Sequence, residues 1–312
     1  MSVIKVTDLA FVRVRAPDLD KARAFFKDFG FIETEGEGGR LAFRGLGPER
    51  EIVAVEPAES SGLAAIGFAV AEREDLDRFA AAAGGTVSER SGPGGGWQAI
   101  ASDPDGNRLE LVWGIEPLEP ISVERQVMND SRDRHRRRGD LFRPPVGPSH
   151  ILRLGHVVLT TPQPLPLAAW YRETLGLLVS DEVYAGSEDN VILSFNRIDR
   201  GEEYVDHHVF QTLNGPAGGI HHISFEVLDL DDLQVGSEYL TDKGYRHMWG
   251  IGRHKQGSQI FDYWIDPFGI MYEHWTDTDM LNATSAPGKL SVEESAGPWG
   301  PPVPPEFLTQ VG

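Results

Sequence analysis

The stretch GIHHISFEV (219–227) repeats GLAAIGFAV (62–70), and this pairing decides how the chain is read. Two further stretches repeat in the same order. LGHVVLTTPQPLPLAAWY (154–171) lines up without a gap on LAFVRVRAPDLDKARAFF (9–26), and DPFGIMYEHW (266–275) lines up on DPDGNRLELVW (103–113). Acidic stretches with helical periodicity, EREDLDRFAAAAGG and LDLDDLQVGSEYLTDKG, follow the first pair. Asp-Pro-x-Gly between two strand-like runs marks a turn, because Pro presets φ and Gly supplies positive φ. Each copy therefore predicts β-α-β-β-β twice over, with alternating strands and helices of about 12 residues. Repeats this long are domains rather than solenoid units.

The repeat divides the chain. Residues 1–115 form a first domain and 150–283 a second, joined by a linker over 116–149. The linker holds SRDRHRRRGD (131–140), which reads as a solvated connector. Residues 284–312 are rich in Pro and Gly and predict an extended tail over the second domain, with Trp299 as an anchor. GPGGG (92–96) does not sit between a strand and a helix start. It is therefore a hairpin tip and not a phosphate loop.

Composition narrows the function. The 312 residues suit two domains. Lys and Arg number 29 against 48 Asp and Glu, a net charge of −19, and the pI is near 4.9. Nucleic acid and anionic membranes need a basic face and are not expected partners. There is no cysteine, which removes disulfides, thiolate metal sites, iron–sulfur clusters and cysteine nucleophiles together. No apolar run of about 18 residues exists to span a membrane. MSVIKVTDLAFVRV lacks a signal peptide's apolar core, so a cytoplasmic setting is expected.

The chemistry lies where the copies differ. All ten histidines occur at or after His135, eight of them at or after His156. Phe11 aligns with His156, Ala65 with His222 and Glu110 with Glu273. Two imidazoles and one carboxylate with open positions match the facial triad of non-haem Fe(II) oxygenases. Phe11 and Ala65 offer no lone pair, which leaves Glu110 a relic or a structural residue. The three candidates are 66 and 51 residues apart and so require three strands of one curved sheet. Strand alternation turns His221 away from His222 and His274 away from Glu273. A buried Glu273 without a partner would be costly.

At GHVVL, IHHISFEV and GRHKQGSQIFDYWIDPFGIMYEHW the chain resembles the type I extradiol ring-cleaving dioxygenases of the vicinal-oxygen-chelate superfamily, over nearly all of residues 1–285. The resemblance implies an α+β fold of two tandem domains, each of paired βαβββ modules forming a curved open barrel, with a metal-free first domain. It implies that His156, His222 and Glu273 bind Fe(II), or Mn(II) as in some members. His208 in DHHVFQ matches the family's acid–base histidine, with His207 facing away. His254 in GRHKQG matches a histidine of the substrate and O2 pocket. Tyr263 matches the tyrosine near the metal-bound hydroxyl, and a hairpin about DPFG places it beside Glu273. Trp249 is a candidate lining of the ring pocket. Lys255, Gln256 and Gly257 depart from the common polar pattern, which touches the O2 pocket and the substrate range.

The activity so implied is O2-dependent cleavage of a catechol beside its two vicinal hydroxyls, giving a yellow muconic semialdehyde-type product. The partners are a small catechol and O2, and family analogy adds a homo-oligomer. Two alternatives use the same scaffold. One is a metal-dependent glyoxalase-type isomerase or lyase, whose sites generally draw more ligands from two modules. The other is a non-catalytic protein that binds aromatic compounds and lacks the triad.

Overall fold

The computed structural model describes residues 2–124 and 127–312. The first half runs β1 (Val6–Ala16), α1 (Leu19–Phe29), β2 (Ile32–Thr34), β3 (Leu41–Arg44) and β4 (Val53–Pro57). It continues with β5 (Gly62–Val70), α2 (Arg73–Ala83), β6 (Thr86–Glu89), β7 (Trp97–Ser102) and β8 (Arg108–Trp113). The second half runs β9 (Ile151–Thr161), α3 (Pro164–Leu175), β10 (Leu178–Tyr184), β11 (Val191–Arg197), the short β12 (Val205–Asp206) and β13 (Phe210–Asn214). Then come β14 (Gly219–Val227), α4 (Leu230–Asp242), β15 (Arg246–Arg253), β16 (Ile260–Ile265) and β17 (Met271–Thr276). The second half closes with β18 (Met280–Leu281), and the tail adds β19 (Gly288–Ser291).

Each half is thus a pair of βαβββ modules within an α+β fold. The first sheet has the order β2-β3-β4-β1-β5-β8-β7-β6, and the second β15-β16-β17-β14-β9-β13-β11-β10-β19. In both, the leading strands of the two modules meet as antiparallel neighbours at the centre. Local chemistry sets the helix ends. Asp18 accepts from the backbone N–H groups of Asp20 and Lys21 at the start of α1, satisfying donors that no helical carbonyl reaches. α1 stops at Gly30, whose φ of 113° suits glycine.

Helix α1 turns Phe25, Phe26 and Phe29 to one buried face. That face packs on the back of the second sheet. The Phe25 and Phe26 rings each lie 5.4 Å from Tyr272 on β17, and Phe29 stacks on His274 at 3.7 Å. Nε2 of His274 meets the Phe29 carbonyl at 2.8 Å. Burial of each phenylalanine contributes roughly 1.5–3 kcal/mol, enough to make the halves one packed body and not two that slide. A second tie runs the other way, from the Tyr171 hydroxyl on α3 to Asp103 Oδ2 at 2.9 Å.

GPGGG forms the tip between β6 and β7. Residues 131–140 carry neither helix nor strand and are mostly exposed. The tail crosses the second half: β19 pairs in parallel with β10, and the Trp299 carbonyl accepts from Arg253 N at 3.0 Å. Trp299 itself is 45 % exposed, so it contributes through its backbone and does not anchor the tail. The buried aromatic is Phe307, which finds an aromatic floor of Tyr263 and Trp249, each at 4.8 Å. Among the described residues no helix is long and apolar enough to cross a membrane.

Candidate metal centre

Strands β9, β14 and β17 are consecutive neighbours. Their register sets Ser224 opposite His156 on one side and opposite Glu273 on the other. One row of the sheet therefore reads His156–Ser224–Glu273, with His222 two residues along β14 on the same face. Gly155 has a packing role here. A Cβ at that position would sit 2.4 Å from Nε1 of Trp275, so only glycine lets the indole lie against β9.

The three ligand-type side chains converge. Nε2 of His156 lies 3.2 Å from Nε2 of His222 and 3.0 Å from Glu273 Oε2. His222 Nε2 lies 3.4 Å from the same oxygen. Three atoms on one octahedral face, with bonds of roughly 2.1 Å, would stand about 3 Å apart. The electrostatics fit a cation as well. Glu273 is fully buried, and burial alone would push its carboxyl up. The imidazoles of His156, His222 and His254 around it outweigh this and hold it ionised, well below the usual carboxylate range. His222 is pulled the other way: burial lowers it to about 4, so it is neutral at pH 7 and keeps a lone pair. Glu273 Oε1 has no hydrogen-bond partner. A buried negative charge beside a neutral imidazole is costly without a counter-ion, and a divalent cation answers it. Among the described residues, His156, His222 and Glu273 are placed to hold one.

Two supporting contacts were not foreseen. Ser224 Oγ donates to Glu273 Oε2 at 2.6 Å, orienting the carboxylate. His221 does not turn away from His222 as strict alternation requires. The β9–β14 register shifts between Ile220 and His222, and a bulge of this kind re-aims side chains. His221 Nε2 lies 2.8 Å from the Phe307 carbonyl, and its Nδ1 lies 2.7 Å from His222 Nδ1. The carbonyl only accepts, so His221 carries hydrogen on Nε2. Its Nδ1 then accepts from His222 Nδ1–H, which leaves the lone pair of His222 on Nε2, facing the triad. Ligand histidines are typically oriented in this way by a partner on the far nitrogen.

Above the triad lies a cavity of about 590 Å³ lined by His208, Trp249, His254, Tyr263 and Phe307 among others. His208 stacks obliquely 4.1 Å from the His156 ring. Burial, with the neighbouring histidines, holds it well below the usual histidine range and hence neutral. Tyr263 pairs with Glu273 across β16 and β17, and its hydroxyl is 2.9 Å from His254 Nε2. Burial and the Glu273 charge push the phenol up, so it stays protonated. Trp249 Nε1 donates to the Pro301 carbonyl of the tail at 2.9 Å, while its ring lies parallel to Tyr263. His207 stays out of the cavity lining, yet it backs onto His208 and is not turned to the opposite side as a strand neighbour would be. It and His208 lie in a bend between β12 and β13, and the two Nδ1 atoms are 3.1 Å apart.

The first half shows the same row emptied of ligands. Phe11, Gly67 and Glu110 are register partners on β1, β5 and β8. Glu110 is buried and answered by guanidinium groups instead, Arg13 at 2.6 Å and Arg108 at 2.8 Å. Its role there is structural.

The paired βαβββ modules and the open His–His–Glu face define the class to which this molecule belongs. Residues 8–111 and 153–273 match the Glyoxalase/Bleomycin resistance protein/Dioxygenase superfamily, and the chain belongs to it. A relative from Cupriavidus necator, metapyrocatechase 2, is 33 % identical over 208 residues, 66 % of this chain and 61 % of that protein. The chain thus matches about three-fifths of that relative's length. Homoprotocatechuate 2,3-dioxygenase from Brevibacterium fuscum, solved with 3,4-dihydroxyphenylacetate, superposes with a TM-score of 0.81 at 19 % identity, covering 99 % of this chain and 93 % of the other. The Mn(II)-bound glyoxalase from Novosphingobium aromaticivorans superposes at 0.78 with 22 % identity, covering 97 % and 94 %. At these identities the superpositions speak for the fold.

Proposed function

We propose that the protein is an extradiol dioxygenase that opens a catechol-type ring with O2, with His156, His222 and Glu273 holding Fe(II), or Mn(II) in its place. The observation that carries this is the convergence of the three ligand atoms, 3.0–3.4 Å apart, beneath a cavity that also presents His208, His254 and Tyr263. When bound, the metal supplies Lewis acidity toward the two catechol hydroxyls and a common seat for diol and O2.

The chain's own residues do the rest. His208, neutral and buried, accepts a proton from the substrate hydroxyl and returns it when the ring opens, work that suits an imidazole. The Tyr263 hydroxyl pairs with His254 Nε2 and keeps that ring turned to the cavity. Trp249, Phe261 and Phe307 form an apolar wall that holds the aromatic ring and excludes water. A glyoxalase-type isomerase or a binding protein leaves His208, His254 and Tyr263 without work. A cytoplasmic setting and a homo-oligomer belong to the same proposal, the latter checked by gel filtration of the metal-loaded protein.

The test is an assay of metal-loaded protein with catechol, run with and without air. Yellow colour and O2 uptake in air alone support ring cleavage. No O2 consumption with any catechol, from protein shown to hold its metal, ends this reading.

A further inference from the structure

Behind His208 stand a second imidazole and a carboxylate that the reaction as described does not use. Asp181 on β10 places Oδ2 at 2.8 Å from Nε2 of His207. Nδ1 of His207 in turn lies 3.1 Å from Nδ1 of His208. Both histidines are 3 % exposed, while the Asp181 side chain is 18 % exposed, toward the surface end of the row.

The hydrogen-bonding chemistry gives this row a direction. A carboxylate accepts only, so His207 carries a hydrogen on Nε2. A neutral His207 then has its lone pair on Nδ1, and the hydrogen between the two Nδ1 atoms comes from His208. His208 is left with its lone pair on Nε2, the nitrogen not turned to His207. We infer that Asp181 and His207 are positioning residues that set the tautomer of His208, so that Nε2 presents a proton acceptor to the substrate hydroxyl. This rests on the acid–base role given to His208 above.

The row is held from outside. The His207 backbone N–H donates to the Asp279 carbonyl at 2.9 Å, and Asp279 N–H donates to the Gly257 carbonyl at 2.8 Å. Asp181 is the register partner of Gly288 in the β10–β19 pair. A Cβ at 288 would stand 2.0 Å from Asp181 Oδ1, so glycine is required for the carboxylate to keep this orientation. The tail strand therefore seals the outer end of the row.

Nitrogen NMR of the full-length chain, labelled with 15N-histidine and loaded with diamagnetic Zn(II), reads the tautomers directly; the H208Q variant identifies the His208 signals. The expected result is hydrogen on Nε2 alone in His207 and on Nδ1 alone in His208. In D181L the His208 tautomers should mix. With the working metal, kcat on catechol should then fall at least about tenfold at little change in KM, with D181E restoring it. Gly288→Ala, which displaces the carboxylate without removing it, should act in the same direction. Hydrogen on Nε2 of His208 in the native chain, two hydrogens on His207, or an unchanged His208 tautomer in D181L would each overturn the inference. Failure to cleave any catechol would sink the ring-cleavage reading, and the NMR result would still decide the tautomers.

Discussion

The carbonyl of Phe307 lies 2.8 Å from Nε2 of His221 and thereby ties the C-terminal tail to the imidazole behind His222. The same phenylalanine places its ring 4.9 Å from that of His221 and 4.8 Å from that of Tyr263. One residue thus closes the cavity with its side chain and orients a candidate ligand with its backbone.

The His221 contact should be felt in metal binding. Replacing His221 by Phe keeps a flat ring but removes the acceptor for His222 Nδ1–H. Loss of such a partner typically weakens metal affinity by roughly 10–100-fold. Chelator competition on the purified variant measures it, and native affinity in H221F would contradict the assigned orientation.

Metal holding and proton transfer should separate by residue. His156→Ala is expected to lose the metal, seen by elemental analysis after gel filtration. His208→Gln should keep its metal and slow turnover by roughly 10²–10⁴-fold. A fully active H208Q would remove the acid–base role from that side chain.

In the first half, Arg13 is the buried partner of Glu110, with side chains 6 % and 1 % exposed. Removing Arg13 leaves the buried Glu110 carboxylate to Arg108 alone, at a cost of up to about 3–5 kcal/mol. R13A should lower the urea midpoint accordingly, and the R13M/E110Q double variant should recover most of the loss. Equal midpoints for R13A and the native chain would show that Arg108 alone answers Glu110.

Asp266, in the DPFG turn, gives a pH dependence. Burial raises its carboxyl to about 6 from an ordinary 3.8, against hydrogen bonds from the backbone of Ile270, Phe268 and Gly269. The folded state therefore binds the proton more tightly than the unfolded one. Below about pH 4 both states are protonated and nothing is lost; from there to about pH 6 the unfolded state gives up its proton first and stability falls, the loss being complete once the pH has risen through 6 and the folded state is ionised too. The cost reaches up to about 3 kcal/mol. D266N keeps Oδ1 as an acceptor and does not titrate, so its urea midpoint relative to the native chain should rise between about pH 4 and pH 7. A difference independent of pH would contradict the shift.

Much of the centre was legible because the chain carries its own control. The first half repeats the pattern without ligands, so His156, His222 and Glu273 stood out against Phe11, Ala65 and Glu110. Tyr263 followed from the hairpin about DPFG, and the structure pairs it with Glu273. His221 was misplaced because alternation assumes a regular strand, and a register shift at Ile220 breaks it. His207 lies outside the cavity lining, but its contact with His208 arises because the residues lie in a bend and not in a strand. Ser224 shares the His222 face by strand alternation, but its bond to Glu273 depends on the register between β14 and β17. Trp299 was the more conspicuous tail aromatic, yet burial fell to Phe307.

The amino-acid sequence alone determined the βαβββ repeat, the half that carries the candidate metal centre and the three side chains able to grip a cation. These are properties of periodicity, turn chemistry and residue type, all written locally along the chain. Only the tertiary structure decided how those side chains are oriented: the Phe307–His221–His222 row, the Asp181–His207–His208 row and the guanidinium that answers Glu110. Each joins residues brought together by register, bulge or tail packing, and hydrogen-bond direction depends on atoms within about 3 Å of one another, a distance that linear order does not encode.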